Sequence, residues 1–310
     1  MDTRQLRYFE AIFERGSLTT AAGELRIAVS ALSHHLANLE TDLGQKLFHR
    51  RPRGLEPTAA GERLYTHAKA ILRAMQAAER DIKASGGEVA GDVTIGMAYS
   101  AVKAIGVPLL RRILTGYPKL NLSLSESLSG TTLAHLLAAD VDLALVYNPP
   151  ADPRLKSVPV LEESMVLIGQ EAIIGETGHP IAFHDTLGLP MIILRQGLSA
   201  RALVDDATLL KKLESSARFQ LNSVHAIGGA LIEGIGCAIG TRLFLQEHIE
   251  TGALAVRPII MPELSRTLHL CQMADRPSSY ALEAVQRLVI ELVHQAIDTG
   301  LWQARKAEQA

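Results

Sequence analysis

The chain has 310 residues, 47% hydrophobic and 21% charged, an ordinary globular composition with enough length for two or three domains. The first seven residues lack an apolar signal-peptide core, and even the apolar region 224–240 carries His225 and Glu233, which argues against a membrane span. Two cysteines, Cys237 and Cys271, are too few for a disulfide scaffold and lack metal-ligand neighbours, so the sequence reads as a cytoplasmic protein with reduced thiols, no metal and no cofactor. The net charge of −2 does not by itself announce a nucleic-acid binder.

Residues 4–14 place Leu6, Phe9, Ile12 and Phe13 on one helical face, Gly16 ends that helix, and Ser17 is the expected N-cap of a second, 18–25. A third helix is expected from about Ser30 to Asp42, with Leu32, Leu36 and Leu39 inward and Gly44 beyond its end. Two short helices joined by Arg26 to Val29 follow the helix-turn-helix plan, with Ala21 and Ala22 allowing close approach. Leu47 to Pro57, with Pro52 and Gly54, suits a two-stranded wing. The segment from Gln45 to Arg53 holds Lys46, Arg50, Arg51 and Arg53 and no acid; it is either a solvated loop or a phosphate-binding edge.

Thr58 caps a predicted long helix over 59–84. Leu64, Ala68, Ile71, Met75, Ala78 and Ile82 stand alternately four and three apart, a heptad seam. The seam serves either a second copy of the chain or the helix's own domain. Ser85, Gly86 and Gly87 end it as a hinge.

From Gly91 the pattern alternates. Strands are expected at Val93 to Met97, Leu120 to Ser125 and Leu143 to Tyr147, with helices at 102–115 and 131–139 between them. A second set follows: strands at Met165 to Gly169, Met191 to Leu194, Arg218 to Leu221 and Cys237 to Ile239, with helices near 200–213 and 224–234. A strand at Thr267 to Gln272 and a helix at 279–299 close the chain. Strand–helix alternation implies a parallel sheet. The run Gly234, Gly236, Gly240 follows a helix and enters a strand, the reverse of a dinucleotide fingerprint. No nucleophile elbow, zinc-protease motif or phosphate loop occurs, so an enzyme is not expected.

In open α/β sheets ligands sit beyond the carboxyl ends of strands. Ser100 follows the first such strand and Ser129, Gly130 and Thr131 the second; their helix N-termini suit an anion, or the hydroxyls are plain helix caps.

The run Gly16-Ser17-Leu18-Thr19-Thr20-Ala21-Ala22, then Leu25, Ala31-Leu32-Ser33, Leu39-Glu40, Leu43-Gly44, Leu47-Phe48, Arg50, Arg53-Gly54, Pro57-Thr58 and Gly61, resembles the signature of LysR-type transcription regulators. Asp142 to Leu145 and Gly234 to Gly236 resemble the effector domain of that family, and the wing and early linker helix look most like its nitrogen-assimilation-control branch. The resemblance implies a winged helix-turn-helix over 1–58, a linker and dimerisation helix with hinge over 59–87, and an α/β effector domain of the periplasmic-binding-protein type over 88–310. Its two subdomains would be 91–165 plus 267–300, and 166–266.

Implied partners are double-stranded promoter DNA carrying interrupted palindromes, a small-molecule effector and further copies of the chain, as homodimer or homotetramer. The helix-turn-helix would place Val29, Ser30, Ser33 and His34 against base edges and Arg50, Arg51 and Arg53 against phosphates. Val29 and Ser30 stand where the family often has Gln-Pro, and His34 and His35 where it often has Gln or Arg; both histidines could equally be exposed helix residues without a role. The effector, expected as a small anionic metabolite such as a carboxylate, would lie between Ser100, Val102, Ser129 and Tyr147 on one side and Arg195, Gly197 and Ser223 on the other, with Arg195 as its ionic partner. Two alternatives stay open: regulation without an effector, and a redox sensor using Cys237 and Cys271.

Overall fold

The computed structural model describes residues 1–52, 54–83, 89–194, 206–276 and 278–307, with main chain only at 77, 80, 81 and 83. The chain divides into two compact units, 1–85 and 86–310. Arg53, Arg195, Gly197, residues 200–205 of the expected 200–213 helix and the Ser85-Gly86-Gly87 hinge fall outside the described residues, and the rest of that helix is observed as Ala207–Ser216.

The first unit holds α1 (Thr3–Arg15), α2 (Leu18–Leu25), α3 (Val29–Leu43), an antiparallel hairpin of β1 (Phe48–Arg51) and β2 (Gly54–Pro57), and α4 (Ala59–Lys83). Local chemistry sets the boundaries. Asp2 and Gln5 form a reciprocal capping box on α1, the Ser17 hydroxyl accepts from Thr20 N at the start of α2, and Gly16 and Gly44 take the left-handed conformation that ends α1 and α3. Thr58 caps α4 as expected: its hydroxyl accepts from Gly61 N at 3.0 Å and donates to Lys46 O at 2.7 Å. Gly61 is required sterically, because a Cβ there would clash with the Leu47 carbonyl.

Leu6, Phe9, Ile12, Ala21, Ala22, Leu32, Leu36, Leu39, Leu47 and Phe48 form one core. Ala68 and Leu72 of α4 belong to it, and Leu64 and Tyr65 pack against it. The expected seam therefore splits. Its first half is committed to the helix-turn-helix, which is why the compact unit runs to residue 85 rather than 58. Its second half is uncovered: Ile71 is 39% and Ile82 86% exposed.

The second unit is built on a six-stranded sheet of order β14-β6-β13-β5-β3-β4. These strands are β3 (Ala90–Met97), β4 (Lys119–Glu126), β5 (Leu143–Tyr147), β6 (Leu155–Ser164), β13 (Ser265–Met273) and β14 (Arg305–Lys306). β4, β3 and β5 run parallel, while β13 is antiparallel to both β5 and β6. Helix Tyr280–Asp298 buries nine residues, with Val285, Val289 and Val293 fully covered in the main core beside Ile95, Leu109 and Leu143. Helix Ser129–Leu137 joins Val141, Ala144, Val146 and Cys271 in a smaller core.

A second layer set follows in the chain: β11-β7-β12-β8, formed by β7 (Val166–Gly169), β8 (Ile181–Ala182), β11 (Ala238–Gly240) and β12 (Ala255–Ile260), and the parallel pair β9 (Ile192–Leu194) and β10 (Phe219–Leu221). A parallel bridge between Met191 and Cys237 connects the two sheets. The two-subdomain organisation matches the expectation, with a difference at the C-terminus. Trp302 and β14 add to the first subdomain beyond residue 300, because Trp302 is 1% exposed and β14 extends the sheet along β6.

Candidate functional site

In the first unit the leading turn of α3 is presented outward. Its N-cap, Ala28, supplies no side-chain bond to the helix, which leaves the positive dipole end free to face an anion. Val29 is 41% exposed, Ser30 and His34 are exposed and Ser33 is half-buried, while Leu32, Leu36 and Leu39 point into the core. His34 and Asn38 pair through Nε2 and Nδ2 at 3.2 Å, so these exposed polar side chains form one unit one turn apart. His35 differs: its ring meets Tyr8 edge-on at 5.0 Å and is half-buried, a packing role.

The wing presents Arg50 to solvent, whereas Arg51 is tied across the hairpin to Glu56 at 2.7 Å. Glu40 fixes the wing's approach, accepting from Lys46 Nζ at 2.6 Å and from Leu47 N at 2.9 Å. Leu55 N donates to Gly16 O at 2.7 Å, and Gly54, at φ +135°, would clash with that carbonyl if it carried a Cβ. Three signature residues, Gly16, Glu40 and Gly54, thus act by seating the wing.

In the second unit a cavity of about 80 Å³ opens between the subdomains. The structure brings Ser100, Ser129 and Tyr147 together in its wall, with Ala98, Tyr99, Leu128 and Arg266 from the same subdomain. Ile192, Ile193, Leu194, Val224, Ile227, Ala238, Ile239, Gly240, Thr241 and Phe244 supply the opposite wall, which is mostly apolar. Two contacts tie the mouth: Tyr99 and Phe244 meet edge-on at 6.0 Å, and Lys103 Nζ donates to Phe244 O at 3.4 Å.

Two expected lining residues are not in the wall. Val102 sits in a wide helical turn, Val102–Gly106, half-buried against the main core, because the helix starts at Tyr99 and carries Val102 past the strand ends. Ser223 is spent as a helix cap, its hydroxyl accepting from Ala226 N at 3.2 Å, and its neighbour Val224 lines the cavity instead. Ser129 has both roles: it begins its helix, and its Oγ accepts from Tyr147 N at 3.1 Å, fixing the end of β5.

The residue that sequence reasoning missed is Arg266. It is 9% exposed and lies against the cavity. Its Nε donates to Glu163 Oε1 at 2.8 Å, its Nη2 to Ser100 Oγ at 3.1 Å, and its guanidinium lies 3.6 Å from the Tyr147 ring centre. Trp302 Nε1 completes the set, donating to Glu163 Oε2 at 2.8 Å. Thr241 Oγ1 is buried without a hydrogen-bond partner among the described residues, and the Tyr147 hydroxyl is buried beside Glu163, Ser100 and Arg266. Burial, and then the Glu163 carboxylate, raise the Tyr147 phenol well above its ordinary pKa, so it stays protonated across the physiological range.

The cysteines lie apart, Cys237 in the core of the second subdomain and Cys271 in the small core of the first. Burial pushes the Cys237 thiol up to about 12 and the Cys271 thiol up to about 11. No group of three or more metal-ligating side chains occurs among the described residues, and no described helix is long and apolar enough to cross a membrane.

Residues 3–62 match the family model described as "Bacterial regulatory helix-turn-helix protein, lysR family", and residues 86–293 match "LysR substrate binding domain". The nitrogen assimilation regulatory protein nac of Klebsiella aerogenes is 32% identical over 295 residues, covering 94% of this chain and 95% of that protein. Full-length OxyR from Pseudomonas aeruginosa aligns over 95% of each chain with TM-score 0.72 and 17% identity. Full-length LysG from Corynebacterium glutamicum, solved with bound effector Arg, aligns over 95% of this chain and 99% of that one with TM-score 0.64 and 19% identity. The match at both ends, and the nac relative over nearly the whole length, place this chain in the LysR family of transcription regulators.

Proposed function

We propose that this chain reads promoter DNA through the first turn of α3 and the wing, and that a small molecule held between the effector subdomains modulates that binding. The observation carrying the effector half is the inter-subdomain cavity itself, with Ser100, Ser129, Tyr147 and Arg266 on one wall and Thr241 and apolar side chains on the other. A ligand that touches both walls binds their closed arrangement better than an open one and so shifts the balance between them. LysG, related in fold, was solved with an effector bound, which supports the same reading.

The DNA half rests on the exposed Val29, Ser30 and His34 and the half-buried Ser33 in α3, with exposed Arg50 in the wing. Arg53 belongs with them by sequence. One reading head offers few contacts, so self-association through the uncovered part of α4, as homodimer or homotetramer in the cytoplasm, supplies paired half-sites. Fluorescence anisotropy on operator DNA tests the coupling: a cleft ligand should shift the full chain's DNA affinity, and the Tyr147→Phe variant should lose that shift.

A second reading, regulation without an effector, draws on the cavity's size, about 80 Å³ against several hundred for common ligand sites. Under it no small molecule changes DNA affinity. The carboxylate expected from the sequence leaned on Arg195, and the charged side chain that does line the described wall, Arg266, is already matched by Glu163.

A further inference from the structure

We infer that Asn38 is a further base-reading residue: its amide selects an adenine in each half-site and is oriented for that contact by His34. The inference deepens the DNA reading above and rests on it.

The outward stripe of α3 runs past its first turn. Leu32, Leu36 and Leu39 turn one side of the helix to the core. On the other side Ser30, His34, Ala37 and Asn38 are all exposed, at the spacing of a single helical face. From Ser30 to Asn38 the helix rises about 12 Å, roughly the height of three or four base pairs. That stretch of the face carries no acid, and Ala37 projects only a methyl group from it. The acids further along are tied elsewhere: Glu40 to Lys46 and Leu47 N, and Asp42 to the N-terminal ammonium at 3.1 Å. Thr41 donates back to Ala37 O at 2.8 Å.

Asn38 Nδ2 stands 3.2 Å from His34 Nε2. An amide nitrogen donates, so the ring nitrogen accepts and the ring proton sits on Nδ1. The bond uses one of the two amide N–H groups and leaves the amide its second N–H and its carbonyl oxygen. Adenine presents the complement in the major groove, where N7 accepts and the N6 amino group donates. Guanine presents two acceptors there, and its O6 would face the carbonyl oxygen. An unheld amide can exchange its oxygen and nitrogen by rotation. Against a ring nitrogen that accepts, the oxygen cannot take the place of the N–H, so His34 fixes which end of the amide points where. His34 is a positioning residue for Asn38 in addition to presenting its own Nδ1–H.

Selection from a random duplex library, run with the full chain and with Asn38→Ala, tests the inference. Asn38 lies outside the core of the reading head, so its variants keep that head folded. The wild type should enrich a motif with an adenine in each half-site that Asn38→Ala no longer selects. In anisotropy titrations on that motif, guanine in place of the adenine should weaken wild-type binding about tenfold, the discrimination of one bidentate contact, and should weaken Asn38→Ala little. Asn38→Asp keeps the shape but loses the N–H donors, and should select cytosine instead, whose amino group donates to a carboxylate. The salt slope of Asn38→Ala should equal that of wild type, because a base contact releases no phosphate counterion. His34→Ala should keep a weaker adenine preference, and an undiminished one overturns the positioning role. A motif that Asn38→Ala selects unchanged, or an equal loss on every sequence with a lower salt slope, overturns the inference while DNA reading survives. A wild-type chain that enriches no motif removes both.

Discussion

Arg266 and Glu163 meet at 2.8 Å beside the cavity between the two subdomains, on neighbouring antiparallel strands where their positions are register partners. Both are nearly excluded from water, so the pair stands or falls together. Glu163→Gln leaves the guanidinium buried without a counter-charge and should cost about 3–5 kcal/mol in urea denaturation. The double change Glu163→Leu with Arg266→Met removes both charges and should cost less than the single one. Equal stability of wild type and Glu163→Gln would show that the pair contributes nothing.

Arg50 is exposed in the wing and Arg51 is held by Glu56. Arg50→Ala should weaken binding to every DNA sequence and lower the salt slope by about 0.9, one phosphate's worth of released counterion. Arg51→Ala should have a smaller effect, since its charge is already partly answered. Arg53→Ala is expected to behave like Arg50→Ala. Titrations at several salt concentrations decide the matter, and an unchanged slope takes the residue off the phosphate backbone.

The linker helix has its own test. Ala68 and Leu72 are committed to the reading head, so a change further along α4 leaves that head intact. Ile71, Met75, Ala78 and Ile82 follow the seam spacing, and Ile82 is the most exposed at 86%. Met75→Lys should shift the chain to a smaller oligomer, because a charge in an apolar seam costs several kcal/mol to desolvate. Light scattering that shows the wild-type mass would leave the seam without a partner.

The thiols give a pH-dependent prediction. With Cys237 raised to about 12 and Cys271 to about 11, native chain at neutral pH should react slowly with a disulfide reagent, and both thiols should react at once in denaturant. The folded chain holds protons that the unfolded chain releases near 9, the ordinary thiol value in both cases. Stability should therefore fall as pH rises above that value, by about 1.4 kcal/mol per unit for each thiol. Cys237→Ala should flatten the fall. Fast native reaction would instead favour the redox-sensor alternative.

The reading head was legible because its information is local: the caps at Ser17 and Thr58 and the 3.6-residue spacing of Leu32, Leu36 and Leu39 all lie within one turn of what they specify. The cleft was legible only in part. Ser100, Ser129 and Tyr147 stand at strand ends, where a general rule for α/β sheets points. Val102 and Ser223 were placed in the wall by the family resemblance, and the structure puts them in the core and at a helix cap, since one residue of helix phase decides between wall, core and cap. Arg266 left a usable signal: it alternates in phase with buried Leu268 and Leu270, so the period of its strand alone directs a charge inward. Its partner Glu163 is in phase with buried Leu161 on β6. Pairing the two required the strand order, which sequence spacing does not contain. The split of the α4 seam was hidden for a similar reason, because one apolar stripe can serve two partners along its length.

If the exposed first turn of α3 reads DNA sequence, selection from a random duplex library by the full chain should enrich a two-fold symmetric motif with two half-sites about one helical turn apart or a multiple of it. Ser33→Ala and His34→Ala should change the preferred bases in each half-site. Recovery of no motif, with all sequences retained equally, would contradict the account. So would an identical motif from both variants.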